Sequence, residues 1–465
     1  MKKTILFLFL LLFLLLSAAF SEETPAVYES GKFQYVFLED NTVKITHYQG
    51  TDRHLEIPSS LDGHTVTAIG TKSFSSLIYL TSVSVPNTVT AIEDFAFDWC
   101  YKLESVQIPG NTALIRPYAF LECPALETIS VSSENTHYQS VDGMLVEKNE
   151  KRLIFCPAAA PYVYYTIPEG IVSIGEYAFY KNSKIKILTI EKEVSSIGDY
   201  AFYKSKKLNN VYISEKVSHI GMNPFSGCSV IEKVMVSEDN AFFAFSDHIL
   251  YSKTNKTLIS FLGGVLLTKY TVPEGIEVIG SSAFYGNDFI TAVTLPESVK
   301  SIEDHAFGKC SKLKSIALCE GLAFIGTSAF CECENLLSVT IPGSVRAIGD
   351  YAFYGCAALT DAVLLEGVQK IGVETFNYCY ALKNVSLPES LEAIEYSAFR
   401  CCPDLTFLTI SKNVTEIGNY AFQECYSVTL IVEKDSYAAD WAENHEIPYI
   451  FPEELFQENM LNPAV

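Results

Sequence analysis

The sequence predicts a solenoid: a right-handed, β-rich superhelix of about sixteen parallel rungs. Three observations carry that prediction. A phenylalanine, mostly preceded by alanine, returns every 23 residues; each copy holds a period-two apolar run, often ended by proline; and little of the 465-residue chain falls outside the pattern. A chain of that length normally divides into several compact domains unless its fold grows in one dimension. A repeated unit too small to bury its own apolar face grows that way, by stacking on its neighbours.

In chain order, Met1-Lys2-Lys3, the apolar run Ile5 to Leu16 and the small, polar Ser17 to Glu22 read as a signal peptide over residues 1–21, cleaved after Ser21. The alternative is an uncleaved anchor, and the apolar run is shorter than the ~20 residues that span a bilayer comfortably. Residues 22–54 are assigned to an N-terminal β cap, a hairpin from Phe33 to Tyr48 turning at Glu39-Asp40-Asn41. A solenoid end needs such cover because a bare terminal coil is an apolar, pairable edge.

Residues 55–432 form the solenoid. The marker phenylalanines are Phe74, Phe97, Phe120, Phe179, Phe202, Phe225, Phe284, Phe307, Phe330, Phe353, Phe376, Phe399 and Phe422. Intervals are 23 residues except two of 59, so two 36-residue inserts are expected, near 133–164 and 238–269. Phe74, Phe179 and Phe284 are 105 apart, and the inserts share that offset at Asp142/Asp247 and Pro168/Pro273, which reads as duplication of a three-coil block. Within a coil, Leu336-x-x-Val339-x-Ile341-Pro342 is a short strand with Val339 and Ile341 inward. Pro342 ends it where a missing N–H costs least. Gly349 suits a turn whose backbone conformation a side chain would hinder, and Ile348, Ala352 and Phe353 close the opposite wall. Each insert is expected to form a β-hairpin projecting from the stack, Met144–Val146 with Leu153–Phe155 and Ile249–Tyr251 with Leu258–Ser260. Residues 433–465 are read as a C-terminal cap and tail, with a short helix capped by Ser436 and Trp441 packed inward.

The outward strand positions lie eight and ten residues after each marker phenylalanine and are mostly small and uncharged. Ile187, Tyr212 and Met235, on consecutive rungs, and Phe407 break that rule and are the candidate ligand-binding residues. Packing of the first three under the adjoining insert is the competing reading. Tyr118, Tyr177, Tyr200, Tyr351 and Tyr420 sit two residues before their phenylalanine, as a stacked column or a carbohydrate platform.

Nine of the thirteen cysteines lie three residues after the marker: Cys100, Cys123, Cys228, Cys310, Cys333, Cys356, Cys379, Cys402 and Cys425. Other coils hold Leu77, Asn182, Ser205 and Asn287 there, so the slot is expected to face inward and hold buried thiols. Cβ atoms on rungs about 4.8 Å apart are farther from one another than a disulfide prefers. The eight histidines are scattered, and no phosphate loop, nucleophile elbow or metal-ligand spacing is present, so no catalytic, cofactor or metal residue is assigned and an enzyme is not expected. The net charge of −22 and the expected absence of a basic cluster argue against nucleic acid and anionic membranes, leaving an uncleaved signal anchor as the one route to a bilayer.

The pattern Leu-x-x-Val-x-Ile-Pro-x-x-Val-x-x-Ile-Gly-x-x-Ala-Phe-x-x-Cys resembles the BspA-like leucine-rich repeat family of exported surface proteins from anaerobic bacteria and some protozoan parasites. The resemblance extends over about residues 32–450, including the entry segment Val43 to Tyr48 and the insert around Ser140 to Pro168. It implies a secreted or cell-surface, adhesin-like protein that engages an extracellular protein ligand, a host matrix component or a partner cell, through its strand face and inserts. A structural envelope protein without a specific ligand and a glycan-binding surface module are the alternatives.

Overall fold

The chain is described by a computed structural model covering residues 25–262 and 267–454, so the expected signal peptide and the end of the tail lie outside the described residues. Two compact units divide the chain: one contains residues up to 125 together with 130–137, the other 126–129 and everything from 138 onward.

The first unit begins with three antiparallel strands. Tyr28–Ser30 pairs with Phe33–Phe37, which pairs with Val43–Tyr48 across a turn where Asn41 takes a left-handed φ of 62°. Val43–Tyr48 then pairs in parallel with His64–Ile69, which hands the ladder to Ala91–Ile92 and Leu114–Ile115. A separate parallel ladder joins His54–Glu56, Ser82–Ser84 and Ser105–Ile108. Each coil therefore has two walls, a longer strand on one and a two-residue strand on the other.

The second unit repeats this plan. Its long-strand wall runs through Tyr164–Thr166, Ile187–Ile190, Asn210–Ile213 and Lys233–Val236, then through six strands from Lys269–Thr271 to Asn384–Ser386. Phe407–Ile410, Thr429–Val432 and Tyr449–Ile450 close it. Partners stand 23 residues apart, as in Val339↔Ala362 and Ile341↔Leu364. Alternation does what the period-two pattern requires: Ser338 and Thr340 are exposed, Val339 and Ile341 buried. The solenoid has about eighteen turns rather than about sixteen. The extra turns are ones the phenylalanine spacing does not mark, the parallel pairing of Val43–Tyr48 among them.

The marker phenylalanines stack in runs that form the spine of the coils. Phe307, Phe330 and Phe353 stack with centroids 5.1 Å apart and planes within 3°. Alternate amides in this turn donate to the next coil, Phe330 N–H to Ala352 O at 2.7 Å and Phe353 N–H to Thr375 O at 2.9 Å. Two residues either side of the phenylalanine the backbone is left-handed, and mostly without glycine. Ser328 and Glu332 flank Phe330 at φ 55°, and Tyr351 and Gly355 flank Phe353 at 57° and 69°. The recurrent glycine serves a different purpose from the one expected. Gly349 does not adopt positive φ. A Cβ there would stand 2.6 Å from the backbone carbonyl of Gly326, so the slot is kept empty for the preceding coil.

The inserts pair as expected, with Val146 opposite Leu153 and Tyr251 opposite Leu258. They do not project as free hairpins. Tyr138–Val141 and Phe243–Ser246 add a third strand to each, and the last strand of each insert joins the short-strand ladder, Leu153 beside Ile174 and Leu258 beside Ile279. The reason is burial: Met144, Val146 and Leu153 belong to the core, and a projecting hairpin would leave them in water. Phe261 even extends the phenylalanine spine, 4.7 Å from Phe284.

At the C-terminal end, Ser436 Oγ accepts from Ala439 N–H and caps the helix Tyr437–Asn444. Its buried Trp441 meets Phe422 edge-on at 5.8 Å, ending the spine with an indole.

Candidate binding surfaces

The long-strand wall presents one row of side chains per rung, and parallel register fixes who stands beside whom. Tyr212 and Met235 are direct register partners on adjoining strands, whereas Ile187 stands in the neighbouring row with Asn210 and Lys233. Tyr212 is exposed, while Ile187 and Met235 are half-buried. Phe407, more than half exposed, lies on a different sheet with Thr429 as its partner, so it is not part of that cluster. Beyond Met235 the wall is bordered by the insert strand Phe243–Ser246, whose Phe245 is half-buried against the same core. The cluster is thus an apolar ridge with one prominent ring, set among Thr189, Asn210 and Lys233.

The tyrosines two residues before the spine do not form one column. Tyr177 and Tyr200 stack at 5.3 Å and Phe95 stacks on Tyr118 at 5.5 Å, but Tyr351 pairs with Tyr354 and Tyr420 with Tyr396. The column is interrupted because the coils between Tyr200 and Tyr351 carry Asn223, Ser282, His305 and Ser328 at this slot, and those between Tyr351 and Tyr420 carry Glu374 and Ser397. A second exposed aromatic group went unnoticed in the sequence. In the first unit Ile78, Tyr79, Trp99 and Tyr101 are all more than two-fifths exposed, and Trp99 meets Tyr101 edge-on at 5.7 Å. Its signal was available, because these residues sit two to five positions after a marker phenylalanine, in the turn.

All thirteen cysteines are buried and free. The ladder slot has a chemical task besides packing: Cys100, Cys310 and Cys356 donate their thiol hydrogen to the carbonyl oxygen of the phenylalanine 26 residues earlier, at 3.2, 3.1 and 3.3 Å. Ser205 does the same to Phe179 at 2.6 Å. Burial pushes the Cys100 and Cys228 thiols up to about 12, which keeps them protonated and unreactive near neutrality. Neighbouring Cys401 and Cys402 face different partners, Cys401 the Glu424 carboxylate and Cys402 the Phe376 carbonyl. Among the described residues no group of three or more His, Cys, Asp or Glu is placed to hold a metal ion, and no helix is long and apolar enough to cross a membrane.

Comparison with known proteins adds to this geometry. A family profile described as "BspA type Leucine rich repeat region (6 copies)" matches residues 53–141, 161–263, 259–360 and 310–429. No curated protein sequence matches the chain at a significant level. Similar solved structures include a leucine rich cell surface protein from Faecalibacterium prausnitzii A2-165, 28% identical over 79% of this chain and 96% of that one, with a TM-score of 0.49. The pneumococcal vaccine antigen PcpA is 19% identical over 92% of this chain and 98% of its own, TM-score 0.45. A leucine-rich repeat protein from Bacteroides ovatus ATCC 8483 is 21% identical over 91% and 99%, TM-score 0.36.

Proposed function

The chain belongs to the BspA-type leucine-rich repeat family, and from that premise we propose that it is an exported, non-enzymatic surface protein that binds extracellular protein ligands through its long-strand wall. One observation carries the reading: on a wall of mainly small polar side chains, the exposed Tyr212 ring stands in register beside Met235, with Ile187 in the adjoining row. An aromatic anchor beside a flexible thioether, ringed by polar groups, has the composition of a protein-contact hot spot. The leader over residues 1–21, with cleavage after Ser21, supports export. Leucine-rich repeat walls are rigid platforms, and a rigid platform binds with little ordering cost.

The test is a panel of immobilised matrix proteins probed with the mature chain. Saturable binding to at least one is expected, and Tyr212→Ala with Met235→Ala weakens it by roughly thirtyfold, the ~2 kcal/mol of a hot spot. Retention no greater than that of an acidic control protein contradicts the proposal.

A further inference from the structure

The expectation that this acidic chain has no basic cluster does not survive folding. Residues 171–216 carry eight lysines against five carboxylates, in a chain of net charge −22. Only Lys204-Ser205-Lys206-Lys207 forms a short linear run; Lys181, Lys184 and Lys186 are spaced among other residues. Stacking gathers six along one turn-side edge: Lys181, Lys184 and Lys186 on one coil, and Lys204, Lys206 and Lys207 on the next. The Lys181 amide donates to Tyr203 O and that of Asn209 to Lys186 O, both at 2.8 Å, which fixes the two coils in register.

On four other coils a cation meets an acid from the following coil: Lys309 with Glu332 at 3.5 Å, Arg400 with Glu424 at 3.1 Å, Lys383 with Asp404 at 3.9 Å, Lys412 with Glu433 at 3.5 Å. Five of the six lysines on this edge lack that arrangement. Lys184, Lys186, Lys204, Lys206 and Lys207 are exposed or nearly so and make no ion pair among the described residues. The residue one coil after Lys181 is Lys204, and one coil after Lys184 is Lys207. Like charges on adjoining rungs repel, so their placement costs stability rather than adding it. The lysines are also aimed. The Lys204 ammonium lies 4.9 Å from the Tyr203 ring centre and that of Lys181 5.3 Å from Tyr180, and the two rings stack at 5.7 Å.

We infer that this lysine edge is a docking site for an anionic polysaccharide, separate from the strand-wall ridge. Two rows of ammonium groups about 4.8 Å apart along the stack suit sulfates or carboxylates strung along a sugar chain. The stacked Tyr180 and Tyr203 rings beneath Lys181 and Lys204 hold two of these ammonium groups in place. The acidic remainder of the surface repels a polyanion, which confines it to this edge and disfavours a long nucleic-acid duplex.

The experiment measures binding of the mature chain to heparin as probe by titration calorimetry. Saturable binding is expected, weakening as salt rises from about 50 to about 200 mM. Lys184→Glu, Lys204→Glu and Lys207→Glu combined lower affinity at least tenfold, on the order of 1.4 kcal/mol. Lys102→Glu, Lys312→Glu and Lys314→Glu combined, with the same change in charge, alter it less than twofold, as does the Tyr212→Ala, Met235→Ala pair. Absence of saturable binding, equal losses in the two lysine triples, or equal binding of polyglutamate overturns the inference.

Discussion

Cys356 donates its thiol hydrogen to the carbonyl oxygen of Phe330, one full coil back, at 3.3 Å. That carbonyl also accepts from the Cys333 N–H of its own coil at 3.2 Å, so the thiol is its second donor and ties one coil to the next. Cys356→Ala is expected to cost about 0.5–1.5 kcal/mol by removing that second hydrogen bond. Cys356→Ser keeps a donor there, as Ser205 does, and is expected to cost less. Urea unfolding of both variants checks the order, and an alanine variant as stable as the parent refutes it.

The same thiols make stability depend on alkaline pH. Cys100 and Cys228 hold their proton up to about pH 12 when folded, because burial opposes the thiolate, whereas an unfolded chain ionises its thiols from roughly pH 8.5. Between those values the unfolded state binds fewer protons, so stability is full below about pH 8.5 and declines as pH climbs toward 12. The urea midpoint should be level from pH 7 to 8 and lower at pH 10, and Cys100→Ser with Cys228→Ser should flatten part of that fall.

Phe330 sits between Phe307 and Phe353, each 5.1 Å away. Phe330→Ala is expected to cost about 3–5 kcal/mol. In a linear stack the damage stays close to its origin. Hydrogen exchange should accelerate in the coils around Phe307 and Phe353 and stay unchanged around Phe179; uniform acceleration would contradict nearest-neighbour stacking.

Two turn positions make opposite demands on the backbone. Gly349→Ala places a Cβ against the Gly326 carbonyl and is expected to destabilise by about 1–3 kcal/mol. Ser328, at φ 55°, accepts glycine with little change, whereas valine there is strained by about 1–2 kcal/mol. Thermal unfolding of the three variants separates a demand for space from one for conformation.

Trp441 covers the open end of the spine at Phe422. Trp441→Ala should expose an apolar, pairable coil, lower the midpoint of the C-terminal coils and promote self-association visible by light scattering.

Much of this architecture was legible because a spine residue such as Phe330 has a single tolerable identity at a fixed interval. Trp441 was legible too, since Ser436 is a strong cap and the helix formers after it need an apolar surface to cover. The left-handed slots were hidden, because Ser328, Glu332 and Tyr351 carry no glycine signal for a conformation imposed by the coil's closure. The projecting inserts were misjudged because pairing pattern alone does not say where Met144 and Leu153 are buried. The surface was least legible of all. Tyr212 stood out by size, but its relation to Ile187 and Phe407 depends on register and sheet membership. Lys184 and Lys207 become neighbours only when 23 residues of chain are folded into one turn.

The central claim is that residues 23 apart are spatial neighbours, and spin-label distances measure it directly. Cysteines introduced for labelling at Ala292, Ser315, Asp361 and Asn384 share one row through the register Ala292↔Ser315, Ser315↔Ser338, Ser338↔Asp361 and Asp361↔Asn384, while native thiols stay buried. From Ala292, the mean separation should grow by about 4.8 Å for each rung crossed, in proportion to rung number. Separations that do not increase in that order, or that scatter without regard to it, would contradict the stacked-coil account.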